Sequence, residues 1–275
     1  MSFSKILVRT LLAFVATVVV QAVAGILVPM QPFAAPHMML WLMASNALTV
    51  AALAVVASRS EWRGWRLGAA VAAIPLVLAF INFIDGVVYL PNAHLDWGRI
   101  FLFMLVSAVL SVPVWALLFG RGKEISIEHR LPTRSWGEHA WRFLLADLLY
   151  LVLYFVAGSI IYPYIRNFYT TQHVPPFLNI VALQFLIRGP MFVLCCLGLV
   201  RMIGLPGMRG AIVAGVVFAV LSGVAPLLIP NPVFPDVVRW AHLCEVSSEN
   251  FVLIAFVAWV WGMPGRNLAR VTAAA

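Results

Sequence analysis

The chain alternates long apolar runs with short polar stretches. Each run is about 20 residues long and apolar on all sides, whereas a strand of a membrane β-barrel would show about 10 residues of alternating pattern. Runs of this length suit helices that cross a membrane once. Proline and glycine mark most of their ends. We predict eight membrane helices, at residues 10–30, 38–57, 67–90, 99–119, 142–163, 177–200, 210–230 and 240–262.

Composition strengthens this prediction. Hydrophobic residues make up 63% of the 275 residues and charged residues only 10%, whereas soluble domains carry about 25% charged residues. The three cysteines lie inside apolar runs, which favours buried thiols over disulfides. The first run resembles a cleavable signal peptide, but its apolar stretch continues past the candidate cleavage point. We therefore expect an all-α, polytopic helical bundle in which the first run is retained as a helix.

The basic residues predict the orientation of the bundle. Of the eighteen Lys and Arg residues, fourteen fall at one set of helix ends and three at the other, and Arg188 lies within a span. Basic residues concentrate on the cytoplasmic side of membrane proteins. We therefore place both termini in the cytoplasm, with the protein in a bacterial cytoplasmic membrane. The same distribution argues against nucleic-acid binding. The lipid bilayer is the expected partner, and the basic loop 121–142 is a candidate contact for anionic lipid headgroups.

The two halves of the sequence resemble one another. The first and fifth predicted helices align through matched Arg, Ala-Gly and Pro positions, and the fourth and eighth both open with an Asp-x-x-Arg figure, Asp96 to Arg99 and Asp236 to Arg239. Two four-helix units in succession must have the same orientation, which makes this a parallel four-plus-four repeat. We predict one repeat at 1–120, a basic linker at 121–141 and a second repeat at 142–275.

The last predicted helix carries ionisable residues. His242, Glu245 and Glu249 are spaced i, i+3 and i+7, so they share one face of the helix. Glu249 lies about 13 Å from the predicted outer end, close to the midplane. A carboxylate there costs several kcal/mol (~3 or more) unless it is paired, protonated or hydrated. We therefore expect this face to point into the bundle.

Arg188 is the expected partner of Glu249. It lies about as deep in the sixth predicted helix, and Gln184 lies one turn away. We predict that Arg188 and Glu249 form an ion pair, either as a structural pair that fixes helix register or as a functional one. Asp147 is expected to pair with Arg142 or to reach the cytoplasmic interface. The candidate buried polar site comprises Asn46, Asp85, Gln184, Arg188, His242, Glu245, Glu249 and Asn250.

Metal binding is a further hypothesis for the same residues. His242, Glu245 and Asp85 are the candidate ligands, because His and Glu one turn apart on a helix can hold a metal. The sequence contains no H-E-x-x-H motif, and it identifies no cofactor.

Three classes of function remain open. A transporter or permease for an ion, a small solute or a lipid would use the buried polar residues near the midplane. An intramembrane enzyme would act on a lipid or lipid-linked substrate through a His/Glu site open to the outer leaflet. A non-catalytic assembly factor or sensor subunit would use neither chemistry. We expect transport, and the sequence does not identify the substrate.

Overall fold

The computed structural model is a bundle of helices. It describes residues 2–30, 35–90, 95–120, 134–172, 174–204 and 207–262. Within them, eight helices are long and apolar enough to cross a membrane, which confirms the predicted number and indicates an integral membrane protein. They are α1 (Phe3–Leu27), α2 (Met38–Arg59), α3 (Gly64–Tyr89), α4 (Trp97–Phe119), α5 (Trp136–Tyr169), α6 (Phe177–Ile203), α7 (Gly207–Leu228) and α8 (Asp236–Gly262).

Helix α5 is much longer than predicted. It begins beside the cap residue Ser135, whose hydroxyl accepts a hydrogen bond from the Glu138 N–H, and it ends at Tyr169. Pro163, predicted at the end of the helix, lies inside it. The added residues carry polar side chains that an apolar run does not include, so hydropathy alone missed them. The predicted linker 121–141 therefore overlaps the start of α5, and residues 121–133 lie outside the described part.

Helices α6 and α7 each contain a π-helical turn, at Gln184–Arg188 and Val220–Val224. Each turn ends two residues before a proline, Pro190 or Pro226. Proline has no N–H and its ring clashes with the carbonyl four residues earlier, so a widened turn relieves the crowding.

Side-chain bonds identify the two ends of the bundle. The odd-numbered helices finish and the even-numbered helices begin at one end, which we call the Asp236 end. There Arg99 donates a hydrogen bond to the carbonyl of Pro29 at 3.3 Å. At the other end, called the Arg134 end, Arg134 donates to the carbonyl of Trp261 at 2.7 Å. The ends of α5 and α8 therefore lie side by side.

Helices pack in the same order in both halves. In the first half, α4 packs on α3 and α1; in the second, α8 packs on α7 and α5. The halves meet through α2 and α3 of the first and α6 and α7 of the second. The Asp-x-x-Arg figures also match, because Arg99 pairs with Asp96 at 3.3 Å and Arg239 with Asp236 at 2.9 Å.

Small residues allow α7 to approach α8 closely at Gly215 and Gly223. A Cβ at Gly215 would lie 2.8 Å from the ring of Phe251, and one at Gly223 would lie 2.8 Å from the backbone nitrogen of Ser247. Such distances leave no room for a methyl group, so these two glycines determine the spacing of α7 and α8.

Candidate functional site

Arg188 is the centre of the buried polar residues. Its side chain is 6% exposed, and its Nη2 lies 2.7 Å from Oδ2 of Asp85 on α3. Its Nη1 donates to the hydroxyl of Tyr150 at 2.9 Å and to Oε1 of Gln184 at 2.8 Å. The guanidinium therefore joins α3 of the first half to α5 and α6 of the second. A charge at this depth is stable only when it is paired in this way.

The network continues through hydroxyl groups. Tyr150 donates to Oε1 of Gln184 at 2.7 Å, and Nε2 of Gln184 donates to the Tyr89 hydroxyl at 3.2 Å. The Tyr154 hydroxyl in turn donates to Tyr89 at 3.3 Å. Gln184 and Arg188 are the first and last residues of the π-helical turn. The turn that proline imposes on α6 thus carries both polar residues that α6 contributes.

A second hydrogen-bonded chain joins α8 to the end of α5. His242 Nδ1 is 2.6 Å from Oε2 of Glu245, and its Nε2 is 2.9 Å from the hydroxyl of Tyr169. When the Glu245 carboxylate is ionised it can only accept, and the matching arrangement has Nδ1 of His242 donating to it and Nε2 accepting from Tyr169. The arrangement is a carboxylate–imidazole–phenol relay that points toward the Asp236 end.

The two hydrogen-bonded networks approach one another between α3 and α8. Helix α3 packs on α2, α4, α6 and α7, but within the described residues it makes no extensive contact with α5 or α8. Asp85 interacts electrostatically with His242 and Glu245 and remains 29% exposed. We call this space the polar cleft; its lining residues are Asp85, Tyr89, Tyr154, Tyr169, His242 and Glu245.

Glu249 lies one turn below Glu245 on the same face of α8. It is 6% exposed, and its Oε2 has no hydrogen-bond partner among the described residues. It interacts electrostatically with Glu245, Arg188 and Asp85. The stripe predicted on α8 therefore points into the bundle, and its deepest carboxylate has a free acceptor oxygen.

The predicted ion pair between Arg188 and Glu249 is wrong. The carboxylate that pairs with Arg188 is Asp85, and no ion pair between Arg188 and Glu249 occurs among the described residues. Counting residues from the Asp236 end places Arg188, 11 residues into α6, near the depth of Glu249, 13 residues into α8, whereas Asp85 lies only four residues from the end of α3. Which of the two carboxylates meets the guanidinium depends on how the helices are rotated, and only their packing determines that.

The expectation for Asp147 is also wrong. Its side chain is 4% exposed and does not reach the interface, while Arg142 donates to the carbonyl of Val260 instead. Asp147 Oδ1 has no hydrogen-bond partner among the described residues and lies against Gly189. A Cβ at Gly189 would overlap this oxygen.

Two of the candidate residues lie apart from the cleft. Asn46 and Gln21 exchange two hydrogen bonds, at 2.7 and 2.8 Å, and this pair fastens α2 to α1. Asn250 is fully buried, and neither polar atom of its amide has a partner among the described residues. Consecutive helix residues are about 100° apart, so Asn250 does not share the face of Glu249.

The metal hypothesis gains no support from the geometry. In the part of the chain that the structure describes, no group of three His, Cys, Asp or Glu side chains is placed to hold a metal ion. Both nitrogens of His242 are engaged, with Glu245 and Tyr169, and Oδ2 of Asp85 is engaged with Arg188.

The tyrosines of the network were not predicted. Tyrosine near the end of a membrane helix is expected as an interface anchor. Tyr89 and Tyr169 lie at such ends, so their positions in the sequence did not indicate a place in the site. Tyr150 and Tyr154 had a readable signal. With Asp147 they repeat the i, i+3, i+7 spacing of His242, Glu245 and Glu249, so α5 presents a polar stripe of its own.

Comparison with known proteins adds no identification. No protein-family model matches the chain, and neither does any curated protein or solved structure.

Proposed function

We propose that the protein is a transporter that couples proton movement to passage of an ion, a small solute or a lipid through the polar cleft. The observation that carries the proposal is the position of the ionisable stripe of α8. Its residues face an ion pair, Arg188 with Asp85, that bridges the two halves. Chains of buried Asp, Glu and His side chains are a feature of proton pathways in transporters.

The proposed proton binding depends on one oxygen of Glu249. Glu249 Oε2 has an acceptor site with no partner among the described residues, so the carboxylate can take up a proton there. Protonation of Glu249 removes a negative charge near Arg188 and leaves Asp85 as the arginine's counter-charge. Glu245, one turn from Glu249, begins a hydrogen-bonded chain that continues through His242 and Tyr169 toward the Asp236 end.

The proposal includes the parallel repeat and the orientation. Identical packing order in the two halves supports a repeat whose axis runs along the membrane normal, and transporters of this design rock one half against the other. We keep both termini in the cytoplasm on the distribution of Lys and Arg. Reporter fusions to the C-terminus, active only in one compartment, test the orientation.

Proton flux in vesicles tests the proposal. The full-length protein is reconstituted into liposomes that contain a pH-sensitive dye, and a potassium diffusion potential is imposed. The measurement is repeated with a panel of organic cations, organic anions and neutral solutes. We expect wild-type protein to move protons, alone or on addition of one class of solute, and E249Q to reduce the rate at least tenfold. Absence of proton movement under every condition would overturn the proposal.

A second candidate is an intramembrane enzyme acting on a lipid or lipid-linked substrate. The specific observation is the Glu245–His242 pair, because a carboxylate that holds an imidazole is a common general-base arrangement. The nitrogen that would act as the base, Nε2, is occupied by the Tyr169 hydroxyl. Incubation with labelled membrane lipids, followed by chromatography of the products, tests this candidate. H242A would abolish any product formed.

A further inference from the structure

The buried carboxylate of Asp147 has no role in the pathway described so far. It lies on α5, on the side of Arg188 toward the Arg134 end. Its Oδ1 and the ring of Tyr150 both flank Gly189, the residue that follows Arg188. Asp147 is therefore adjacent to the ion-pair network but is not hydrogen-bonded to it through Oδ1.

The depth of Asp147 follows from two contacts between α5 and α8. Arg142 donates to the carbonyl of Val260, and a Cβ at Gly158 would lie 3.4 Å from Oε1 of Glu245. Gly158 is 16 residues beyond Arg142, and Glu245 is 15 residues before Val260, so the two helices run level. On this scale Asp147 lies about six residues, or about 9 Å, nearer the Arg134 end than Glu249.

The surroundings of Asp147 supply no charge to hold it ionised. Within the described residues no ion pair includes it, and no charged side chain interacts with it electrostatically. Arg142 on the same helix is committed to a carbonyl, and Arg188 on α6 to Asp85 and Tyr150. Burial without a counter-charge favours the neutral, protonated form of a carboxyl group.

We infer that Asp147 is a second proton-binding site, which continues the pathway from Glu249 toward the Arg134 end. This inference rests on the proposed function. The step is a proton transfer alone: Asp147 Oδ1 gains the proton that Glu249 releases, and the O–H bond of Asp147 later breaks to give the proton to water at the Arg134 end. The Arg188–Tyr150 contact separates the two carboxyls, so the pathway has a proton-binding site on each side of it.

Gly189 provides a built-in test of the geometry. A methyl group at this position would overlap Asp147 Oδ1 and would also lie 2.9 Å from the Tyr150 ring and 3.0 Å from the Gln184 carbonyl, so Gly189→Ala displaces the carboxylate and also disturbs the Arg188 network, and D147N is the decisive variant. Gly198, on the same helix, has no atom within 4 Å of a Cβ position, and Gly198→Ala is the matched control. Glu61→Gln removes an exposed carboxylate and controls for the change in charge.

The flux assay in liposomes compares D147N and G189A with wild-type protein, E249Q, G198A and E61Q. We expect D147N and G189A to reduce the proton flux at least tenfold, and the two control variants to match wild type. If wild type and E249Q behave as proposed while D147N conducts like wild type, this inference is overturned and the proposed function stands. If wild type moves no protons, both fail.

A chemical probe gives a readout that does not depend on transport. Dicyclohexylcarbodiimide is apolar and adds to protonated carboxyl groups in membranes, and peptide mass spectrometry locates the adduct. We expect an adduct on Asp147 of the wild-type protein in membranes, and less of it as the pH is raised. An adduct on Glu249 with none on Asp147 would contradict the inference, whatever the stability of D147N.

Discussion

Arg188 and Asp85 form an ion pair between the two halves of the bundle, with 2.7 Å between Nη2 and Oδ2. The arginine is 6% exposed and the aspartate 29%. Tyr150 and Gln184 hold the guanidinium as well, so Arg188 is fixed to the second half of the bundle, and its bond to Asp85 is the contact that reaches the first half.

A double-mutant cycle measures how far this pair stabilises the fold. R188Q and D85N should both lower stability: D85N leaves a buried guanidinium that cannot lose its proton, whereas R188Q leaves a partly exposed carboxylate that can take one up but also removes the bonds to Tyr150 and Gln184. We expect a coupling energy of about 1–3 kcal/mol. Thermal unfolding of the purified proteins in detergent measures it. The half-exposed pair of Arg99 and Asp96 is the control, with a coupling below about 1 kcal/mol. Equal coupling in the two cycles would contradict a special role for Arg188.

Neutralising Glu249 should leave the fold intact. Its Oε2 has no partner among the described residues, so E249Q removes a buried charge without breaking a hydrogen bond at that atom. We expect the midpoint of thermal unfolding to stay at the wild-type value or to rise, while the proton flux falls. A large loss of stability would instead show that Glu249 is a structural partner of a neighbouring residue.

Removal of one hydroxyl tests the relay on α8. Tyr169→Phe deletes the bond to His242 Nε2, the one side-chain bond of this hydroxyl among the described residues, and should cost about 0.5–1.5 kcal/mol. We also expect a slower proton flux and a changed imidazole signal of His242 in NMR spectra. Tyr164→Phe, at a side chain exposed on the same helix, is the control and should change neither. A flux unaffected by Tyr169→Phe would remove Tyr169 from the pathway.

The pair of Gln21 and Asn46 should stabilise the fold without contributing to transport. N46A removes both hydrogen bonds between α1 and α2, and interhelical bonds in membranes contribute about 0.6–1.7 kcal/mol. We expect a lower thermal midpoint and a proton flux per folded molecule equal to that of wild type. A proton flux per folded molecule below that of wild type would mean that Asn46 contributes to the site.

Close contact of α7 and α8 predicts a steric effect. Gly223→Ala places a methyl group against the backbone of Ser247 and should cost about 1–3 kcal/mol. Gly25→Ala, where no atom lies within 4 Å of the new Cβ, should be neutral or slightly stabilising. Thermal unfolding of the two variants measures the difference, and equal values would mean that α7 can move away from α8 at little cost.

The number of helices could be predicted because crossing a bilayer requires a minimum length of apolar chain. The starts of α2 at Met38 and α6 at Phe177 were predicted to the residue. The end of α5 was not, because Pro163 was taken as a terminator. A proline inside a membrane helix is tolerated when neighbouring groups satisfy the freed carbonyl.

The sequence could predict how deep each polar residue of the site lies in its helix, but not which residues contact one another. The spacing of His242, Glu245 and Glu249 predicted that they share one face of α8. The cost of burying charge in lipid predicted that this face points into the bundle. The partner of Arg188 depends instead on the rotation of α3 and α8 about their axes, which arises from packing along the whole bundle. The tyrosines were missed because the same side chain serves both as an interface anchor and as a buried hydrogen-bonding group.

The few contacts that α3 makes across the polar cleft have a mechanical consequence. Asp85 reaches Arg188, and Tyr89 reaches Gln184 and Tyr154, each through a polar atom. Water can replace each of these polar contacts, so they can be broken when α3 moves away from α5 and α6 at the Asp236 end. Water would then fill the polar cleft as it opens, and the resistance to opening would depend on how strongly Arg188 holds Asp85.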